Sequence, residues 1–279
     1  MSIITLLTDF GIEDAYVGTI KGVILSVNPS AMIVDITHQI DPQDLIEAAY
    51  VIKSSYRYFP KGTVHVIVVD PGVGSDRAIV ALEMMGHIFL APDNGVLTLL
   101  MDEGRIDSIT RVINSHYFLE PLSQTFHGRD IFAPVGAHIS KGVDLKKLGS
   151  GLDRNDLVQL SIRKPSISDK GELVGTIVSV DRFGNCITNI DVNCLEIFYK
   201  PGSEKKLKIV IGEYEIKGLS QSYDGVGLKH PLAIIGSLGY LEIALNCGRA
   251  SRHFGAEKGD TIRVILSDKF VDGRLLLNK

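Results

Sequence analysis

TVHVIVVDPGVGSDR, from Thr63 to Arg77, is the stretch on which the fold turns. Its first half is an apolar run rich in valine and isoleucine, broken only by His65, and its second half opens on Asp-Pro-Gly. β-Branched side chains suit the pleated surface of a strand, and a run without polar alternation predicts a strand covered on both faces. Asp, Pro and Gly favour a turn, through local hydrogen bonding, a fixed φ and the absence of a Cβ respectively. Asp70 is therefore expected at the carboxyl end of a buried strand, the edge at which open α/β sheets hold their ligands. Upstream, IITLL and MIVDI have the same character, and each leads into a helix-like segment, DAYVGTIKGVILSV and DLIEAAYVIKSSYRYF. In the second of these Leu45, Ala48, Ala49 and Ile52 recur at helical spacing, with Asp41 as the expected N-cap and Pro42 at the first helical position. Strands alternating with helices predict βαβ units and a mainly parallel sheet.

Downstream, AIVALEM and HIFLA flank Gly86 and read as adjacent strands, NGVLTLLM as a further helix, and DIFAPVGAHI as a helix interrupted by Pro134. The polar segment RKPSISDKGE, from Arg163 to Glu172, marks a change of character. Beyond it ELVGTIVSVD, CITNI, LKIVI, EYEIKG, LAIIG, YLEIAL and TIRVIL are short and strand-like, with glycine-containing breaks between them. The chain is thus expected to be an α/β protein of two domains. Residues 1–163 form an N-terminal α/β domain with a mainly parallel sheet, and residues 171–279 a smaller C-terminal antiparallel β-barrel domain.

Composition narrows the function classes. The 279 residues are 45% hydrophobic and 22% charged, ordinary for a chain with packed cores. No apolar run approaches the ~20 residues of a membrane span, so no membrane partner is expected. A formal net charge of -4 without a basic tract gives little electrostatic reason to bind nucleic acid. MSIITLLTDF lacks a basic n-region and reads as a first strand rather than a secretory signal. Cys186, Cys194 and Cys247 are an odd set without C-x-x-C spacing, which suits a reducing compartment. The expected location is the cytoplasm, and the expected partner a small molecule.

Asp9 closes the first strand as Asp70 closes the third, so parallel strands would bring both carboxylates to one crevice. A carboxylate there can accept both hydroxyls of a ribose, with a capping role as the alternative. Gly72-Val73-Gly74 begins like a dinucleotide fingerprint, but its third glycine falls on Arg77, and no Walker A sequence occurs. His127, in TFHGRD from Thr125 to Asp130, precedes a glycine on the approach to a helix, where a ligand can come close. A purely structural histidine is the alternative, and Arg129 and Asp130 are expected to pair on the surface. Asp35 and His38, in DITH, taken with Asp9, Asp70 and His127, raise a metal-dependent phosphoesterase as a second possibility. Phe183, Gly184 and Asn185 read either as a hairpin turn or as a ring that stacks on a purine beside an amide that meets its edge.

TDFG (Thr8 to Gly11), VVDPGVG, APDNG (Ala91 to Gly95), TFHGRD, DRFGN (Asp181 to Asn185) and GSLGYLEIA (Gly236 to Ala244) occur in this order across nearly the whole chain. The set resembles the S-adenosyl-L-methionine hydroxide adenosyltransferases, relatives of the fluorinating and chlorinating enzymes that act on the same substrate. The resemblance implies cleavage of S-adenosyl-L-methionine by water into adenosine and methionine. It also implies a homotrimer whose active sites lie between the N-terminal domain of one subunit and the C-terminal barrel of its neighbour. Position by position, it implies that Asp70, Arg77 and His127 hold and activate the water and that Asp9 binds the ribose diol. Phe183 and Asn185 would contact adenine, Ser237, Tyr240 and Glu242 would serve the methionine end, and backbone near Cys247 would complete the purine pocket. The halogenating relatives differ at the positions matching Asp70 and His127, and the fluorinating one carries a long insertion near Asp76 that is missing here. Water is thus the expected nucleophile, and an ionised Asp70 in a dry pocket would in any case repel a halide. No cofactor and no metal are expected, because a thioether needs no acid to leave and the charges of nucleophile and sulfonium cancel in the transition state. A non-catalytic adenosine or S-adenosyl-L-methionine binding module is the remaining alternative.

Overall fold

Strands β1 (Ile3–Thr8), β2 (Met32–Thr37), β3 (Val64–Val68), β4 (Ile79–Met84), β5 (His87–Pro92), β6 (Ile106–Val112) and β7 (Gly149–Gly151) form one sheet in the order β2-β1-β3-β5-β4-β6-β7. The computed structural model describes residues 2–199 and 206–266 and the backbone of 270–271 and 274–275. It divides into two compact units, Met1–Ser161 and Ile162–Lys279, and this sheet belongs to the first. β1, β2, β3 and β5 pair in parallel, β4 runs against β5 and β6, and β7 runs against β6. Five of the seven strands therefore share one direction, and the sheet is mainly parallel.

Helices α1 (Tyr16–Val27), α2 (Leu45–Ser55), α3 (Thr98–Met101) and α4 (Ala133–Ser140) cover it. Val64, Val66 and Val68 of β3 share a core with Ile20 and Ile24 of α1 and Val135 and Ile139 of α4. Ile67 and Val69 share another with Ala48 and Ile52 of α2 and Leu100 of α3. Both faces of the strand are covered, which is why its sequence shows no polar alternation.

Two local expectations need correction. α2 begins at Leu45, because the Asp44 carboxylate, rather than that of Asp41, accepts the Glu47 N–H and satisfies a donor of the first turn. Residues Asp41 to Asp44 form the turn before it. Gly128–Phe132 is a π-helical turn, and α4 starts at Ala133 with Pro134 in its first turn, where a missing N–H costs nothing. Pro134 thus starts a helix instead of interrupting one. The sequence pattern also assigns no strand to β6 or β7.

The second unit comprises β8 (Ser166–Ile167), β9 (Leu173–Val180), β10 (Cys186–Asp191), α5 (Val192–Phe198), β11 (Leu207–Ile211), β12 (Tyr214–Lys217), β13 (Pro231–Ile235), β14 (Tyr240–Leu245), α6 (Ala250–Phe254) and β15 (Thr261–Leu266). A short antiparallel pair follows, β16 (Phe270–Val271) and β17 (Arg274–Leu275). The main sheet is antiparallel throughout its ladders, in the order β12-β11-β15-β9-β10-β14-β13 with β8 on β9. Its two ends meet where the Ser220 N–H, just past β12, donates to the Ala233 carbonyl of β13 at 2.8 Å, so the sheet nearly closes into a barrel. Ile177, Ile209, Ile243 and Ile262, from four strands, share its core. Among the described residues, no helix is long and apolar enough to cross a membrane.

Candidate active site

β1 and β3 pair in parallel as far as Thr8 and Val68, so Asp9 and Asp70 emerge at the same edge of the sheet. Asp70 opens a tight loop in which the Val73 N–H donates to the Asp70 carbonyl and the Ser75 N–H to that of Gly72. Gly74 has φ +79°, and a Cβ there would stand 2.3 Å from the Gln124 carbonyl oxygen, so the loop closes against the segment carrying His127 only with glycine at this position. The loop returns Arg77 toward its own start. Arg77 Nε donates to both carboxylate oxygens of Asp70 at 2.8 Å, Nη2 also donates to Oδ2, and Nη2 reaches Nδ1 of His127 at 2.9 Å. The guanidinium therefore bridges the other two side chains. Asp9, Asp70, His127, Phe10, Tyr16 and Phe126 all line one cavity of about 280 Å³ at this edge.

A guanidinium can only donate, so Nδ1 of His127 must accept, and the neutral ring carries its proton on Nε2. Burial and then the Arg77 charge hold this histidine below its usual range, against smaller opposing effects of Asp70 and Asp130. The ring is only 7% exposed, and Nε2 has no hydrogen-bond partner among the described residues. A buried N–H without a partner is costly, so this atom is a donor waiting for an acceptor. Asp9 is oriented differently: its Oδ2 accepts the Gln43 N–H at 2.8 Å. Gln43 holds that position with φ +67°, a left-handed conformation that few non-glycine residues adopt.

The remaining sequence-derived candidates lie on the second unit. Phe183, 74% exposed, and Asn185 sit in the hairpin between β9 and β10, where the Asn185 amide nitrogen donates to Asp181 Oδ2 at 3.0 Å. Hairpin and exposed aromatic thus coexist at this motif. Ser237 is exposed in the turn before β14, Tyr240 begins that strand, and Glu242 is buried on it. Tyr223 donates to Glu242 Oε2 at 2.9 Å, and burial raises the Glu242 pKa. A Cβ at Gly236 would fall 1.7 Å from Glu242 Oε1, so glycine there makes room for the carboxylate. Cys247 is exposed just past the other end of β14, with φ +53°, and its carbonyl accepts from Lys229 Nζ.

The residues of the metal alternative are not gathered into a ligand set. Asp35 is engaged by Lys21 at 2.6 Å and His38 at 3.1 Å, His38 Nδ1 by Thr8 Oγ1 at 2.8 Å, and Asp70 by Arg77. Among the described residues the grouping of possible ligand atoms is instead Asp41, Asp44 and Glu47, around the start of α2. The Arg129 and Asp130 pair exists but is not a surface pair. Asp130 is fully buried, also accepts the Ser123 N–H, and is held below its usual range because these partners outweigh its burial. Sequence reasoning missed the aromatic wall of the cavity, where Phe10, Tyr16 and Phe126 have ring centroids 5.1 to 6.0 Å apart. Phe10 and Phe126 adjoin Asp9 and His127 in sequence and could have been found that way, whereas Tyr16 carries no local mark.

Residues 4–149 match the model of the SAM hydroxide adenosyltransferase N-terminal domain, and residues 175–263 that of its C-terminal domain. The (R)-S-adenosyl-L-methionine hydrolase of Methanocaldococcus jannaschii is 34% identical over 284 residues, covering 95% of this chain and 96% of that protein. The (R)-S-adenosyl-L-methionine hydrolase of Thermus thermophilus is 33% identical over 281 residues, covering 93% and 98%. A crystal structure of an uncharacterized conserved protein from Thermotoga maritima superposes with a TM-score of 0.87 at 37% identity, covering 94% of this chain and 99% of that one. With both domain models matched in order and hydrolases similar over nearly its full length, the chain belongs to the SAM hydroxide adenosyltransferase family.

Proposed function

We propose that the protein hydrolyses S-adenosyl-L-methionine to adenosine and L-methionine by in-line attack of water on the ribose 5′ carbon. The observation that carries the reading is the convergence of Asp70 and Arg77, from one loop, with His127, 50 residues beyond Arg77, beside a cavity that Asp9 also lines. Water held among them has the Nε2–H of His127 as donor and the Asp70 carboxylate as acceptor. His127 is not the base, because its Nδ1 lone pair is committed to Arg77 and its Nε2 already bears the proton. Asp70 takes the proton as the bond from oxygen to C5′ forms. The bond from C5′ to sulfur breaks, its electron pair stays on sulfur, and methionine leaves as a neutral thioether. Arg77 fixes Asp70 and His127 relative to each other and stabilises negative charge developing on the oxygen.

In the same reading residues 1–163 handle water and ribose, and residues 171–279 handle purine and methionine. Asp9 accepts the ribose hydroxyls, Phe183 and Asn185 with backbone near Cys247 take adenine, and Ser237, Tyr240 and Glu242 serve the methionine end. The exposed Phe183 ring supports the stacking role, since such a ring gains from a flat apolar partner. The names of the hydrolase relatives favour the (R) sulfonium epimer as substrate. A homotrimer in which neighbouring subunits join the two halves of each site belongs to the proposal, on the family likeness. Residence in the cytoplasm belongs to it too, on three free thiols.

The experiment is incubation of purified protein with each sulfonium epimer in ¹⁸O-labelled water, followed by chromatography and mass spectrometry. Adenosine carrying label at its 5′ oxygen, released with an equal amount of methionine and insensitive to chelator, is the expected result. Binding without product would leave a non-catalytic module, and chelator-sensitive cleavage of a phosphodiester would leave the metal enzyme. Mixing Asp70→Asn protein with Phe183→Ala protein should restore activity if two subunits build each site.

A further inference from the structure

The DITH motif has no task in the water chemistry, yet its histidine lies under the Asp9 loop. His38 is 5% exposed, and its Nδ1 is 2.8 Å from Oγ1 of Thr8, which is fully buried at the end of β1. On the far side of the ring, Nε2 makes a bent 3.1 Å contact with Asp35 Oδ1, while Lys21 Nζ donates to Asp35 Oδ2 at 2.6 Å. A carboxylate beside Nε2 favours the proton there and leaves Nδ1 to accept from the Thr8 hydroxyl. The Thr8 oxygen in turn accepts the Phe10 N–H at 3.3 Å, and the His38 carbonyl accepts the Gly11 N–H at 2.7 Å. Thr8 has no exposed surface, so the Asp35, His38 and Thr8 sequence is not a nucleophilic triad despite its composition. Its output is the position of two successive peptide N–H groups directly after Asp9.

We infer that His38 is a positioning residue for substrate binding: through the Thr8 hydroxyl and its own carbonyl it fixes the Asp9–Gly11 turn and so aims the Asp9 carboxylate at the ribose diol. The inference rests on the ribose reading of Asp9. A hydroxyl that donates to the ring and accepts from the backbone at once has a defined rotamer, and the turn inherits that definition. Gln43, on the loop that follows His38, completes the cradle by holding Asp9 Oδ2. The carboxylate's other oxygen has no protein partner among the described residues, and is the one left to take a ribose hydroxyl.

Thr8→Val keeps shape and volume but removes the hydroxyl, whereas Thr8→Ser keeps it. Calorimetric titration of the full-length protein with adenosine, alongside KM and kcat for S-adenosyl-L-methionine, tests the idea. Thr8→Val should weaken adenosine and raise KM by roughly 5- to 20-fold, the scale of one or two lost hydrogen bonds, with kcat within about twofold of wild type. Thr8→Ser should stay within about twofold of wild type in all three. Should Thr8→Val fail to fold, His38→Leu removes the same acceptor and His38→Asn keeps one near the position of Nδ1, with the same contrast expected. Wild-type adenosine affinity in a folded Thr8→Val or His38→Leu protein, while Asp9→Ala loses it, would overturn the inference and leave the Asp9 reading intact. Equal binding by Asp9→Ala and wild type would overturn both.

Discussion

His65, in the middle of β3, and His127, before the π-helical turn, are both buried, and both are held below the usual histidine range first by burial. They differ in what surrounds them. One ring nitrogen of His65 pairs with Thr5 Oγ1 at 2.8 Å and the other with His87 Nδ1 at 3.2 Å, an arrangement that either tautomer satisfies. The ring also stacks on Phe89 with centroids 4.9 Å apart. His127 has its tautomer imposed by Arg77 and keeps one donor unspent. Desolvation alone therefore does not distinguish a packing histidine from a working one. A forced tautomer with an unpaired N–H beside a cavity does, because stability alone would select against it.

The sharpest way to break this contrast is to remove the proposed proton acceptor. Asp70→Asn should lower turnover by roughly 10²- to 10⁴-fold, the usual range for a general base, with S-adenosyl-L-methionine affinity changed only a few-fold. Turnover within about tenfold of wild type would mean that another group takes the proton. His127→Ala should lower turnover by about 10²-fold, as for a lost transition-state donor, and leave the melting temperature nearly unchanged. His65→Ala should do the reverse. Loss of its packing and its two hydrogen-bond partners costs about 2–4 kcal/mol of stability, with activity per folded molecule retained. The checks are steady-state kinetics and calorimetric melting on the same samples.

The two histidines also separate in pH. Burial and then His87 bring the His65 pKa down to about 3, against an ordinary value of 6.5. Between those values the unfolded chain binds a proton that the folded chain refuses, so stability is lost as pH falls from about 6.5 toward 3, by up to about 4 kcal/mol from this residue. Denaturant titrations of wild type and His65→Asn across this window should show the shallower acid slope in the variant. Protonation of His127 would put a proton on the nitrogen that accepts from Arg77. The acid limb of kcat should therefore lie below the ordinary histidine range, where its lowered pKa places it.

Legibility followed the physics of each element. β3 could be read because a strand covered on both faces has an unbroken apolar run, and its parallel pairing with β1 brings Asp9 and Asp70 to the same edge of the sheet. All seven segments given as strands of the second half are strands, since each is a short run rich in β-branched residues bounded by glycine-containing breaks. The start of α2 was misread by one turn because Asp41 and Asp44 are equivalent as local caps, and only the geometry selects the one that reaches Glu47. The bridging role of Arg77 depends on a contact to a residue 50 positions away, which local pattern cannot carry. The burial of Asp130 is likewise hidden, because a charged pair adjacent in sequence reads as solvated unless the fold covers it.

The smallest expected effect concerns Asn94, which tests whether the contrast between packing and working residues has a middle ground. The APDNG segment spans the end of β5, next to β3, and clamps the loop from Asp70 to Arg77 at both ends. Asn94 Nδ2 donates to the Val69 carbonyl at 2.9 Å, directly before Asp70, and the Asp93 N–H donates to the Ala78 carbonyl at 2.9 Å, directly after Arg77. Asn94 Oδ1 also accepts the Val96 N–H at 3.2 Å, so the side chain ties its own turn to the neighbouring strand end. Asn94→Ala releases one end of the loop while Arg77 still grips Asp70. The expected loss in kcat is therefore only about 3- to 10-fold, the value of one positioning hydrogen bond. KM should not change, because Asp9, the proposed ribose contact, lies at the end of β1 and outside this clamp. A drop in melting temperature with unaltered kcat would place Asn94 with His65 as packing, and would show that the grip of Arg77 on Asp70 suffices to hold the proposed catalytic pair in place.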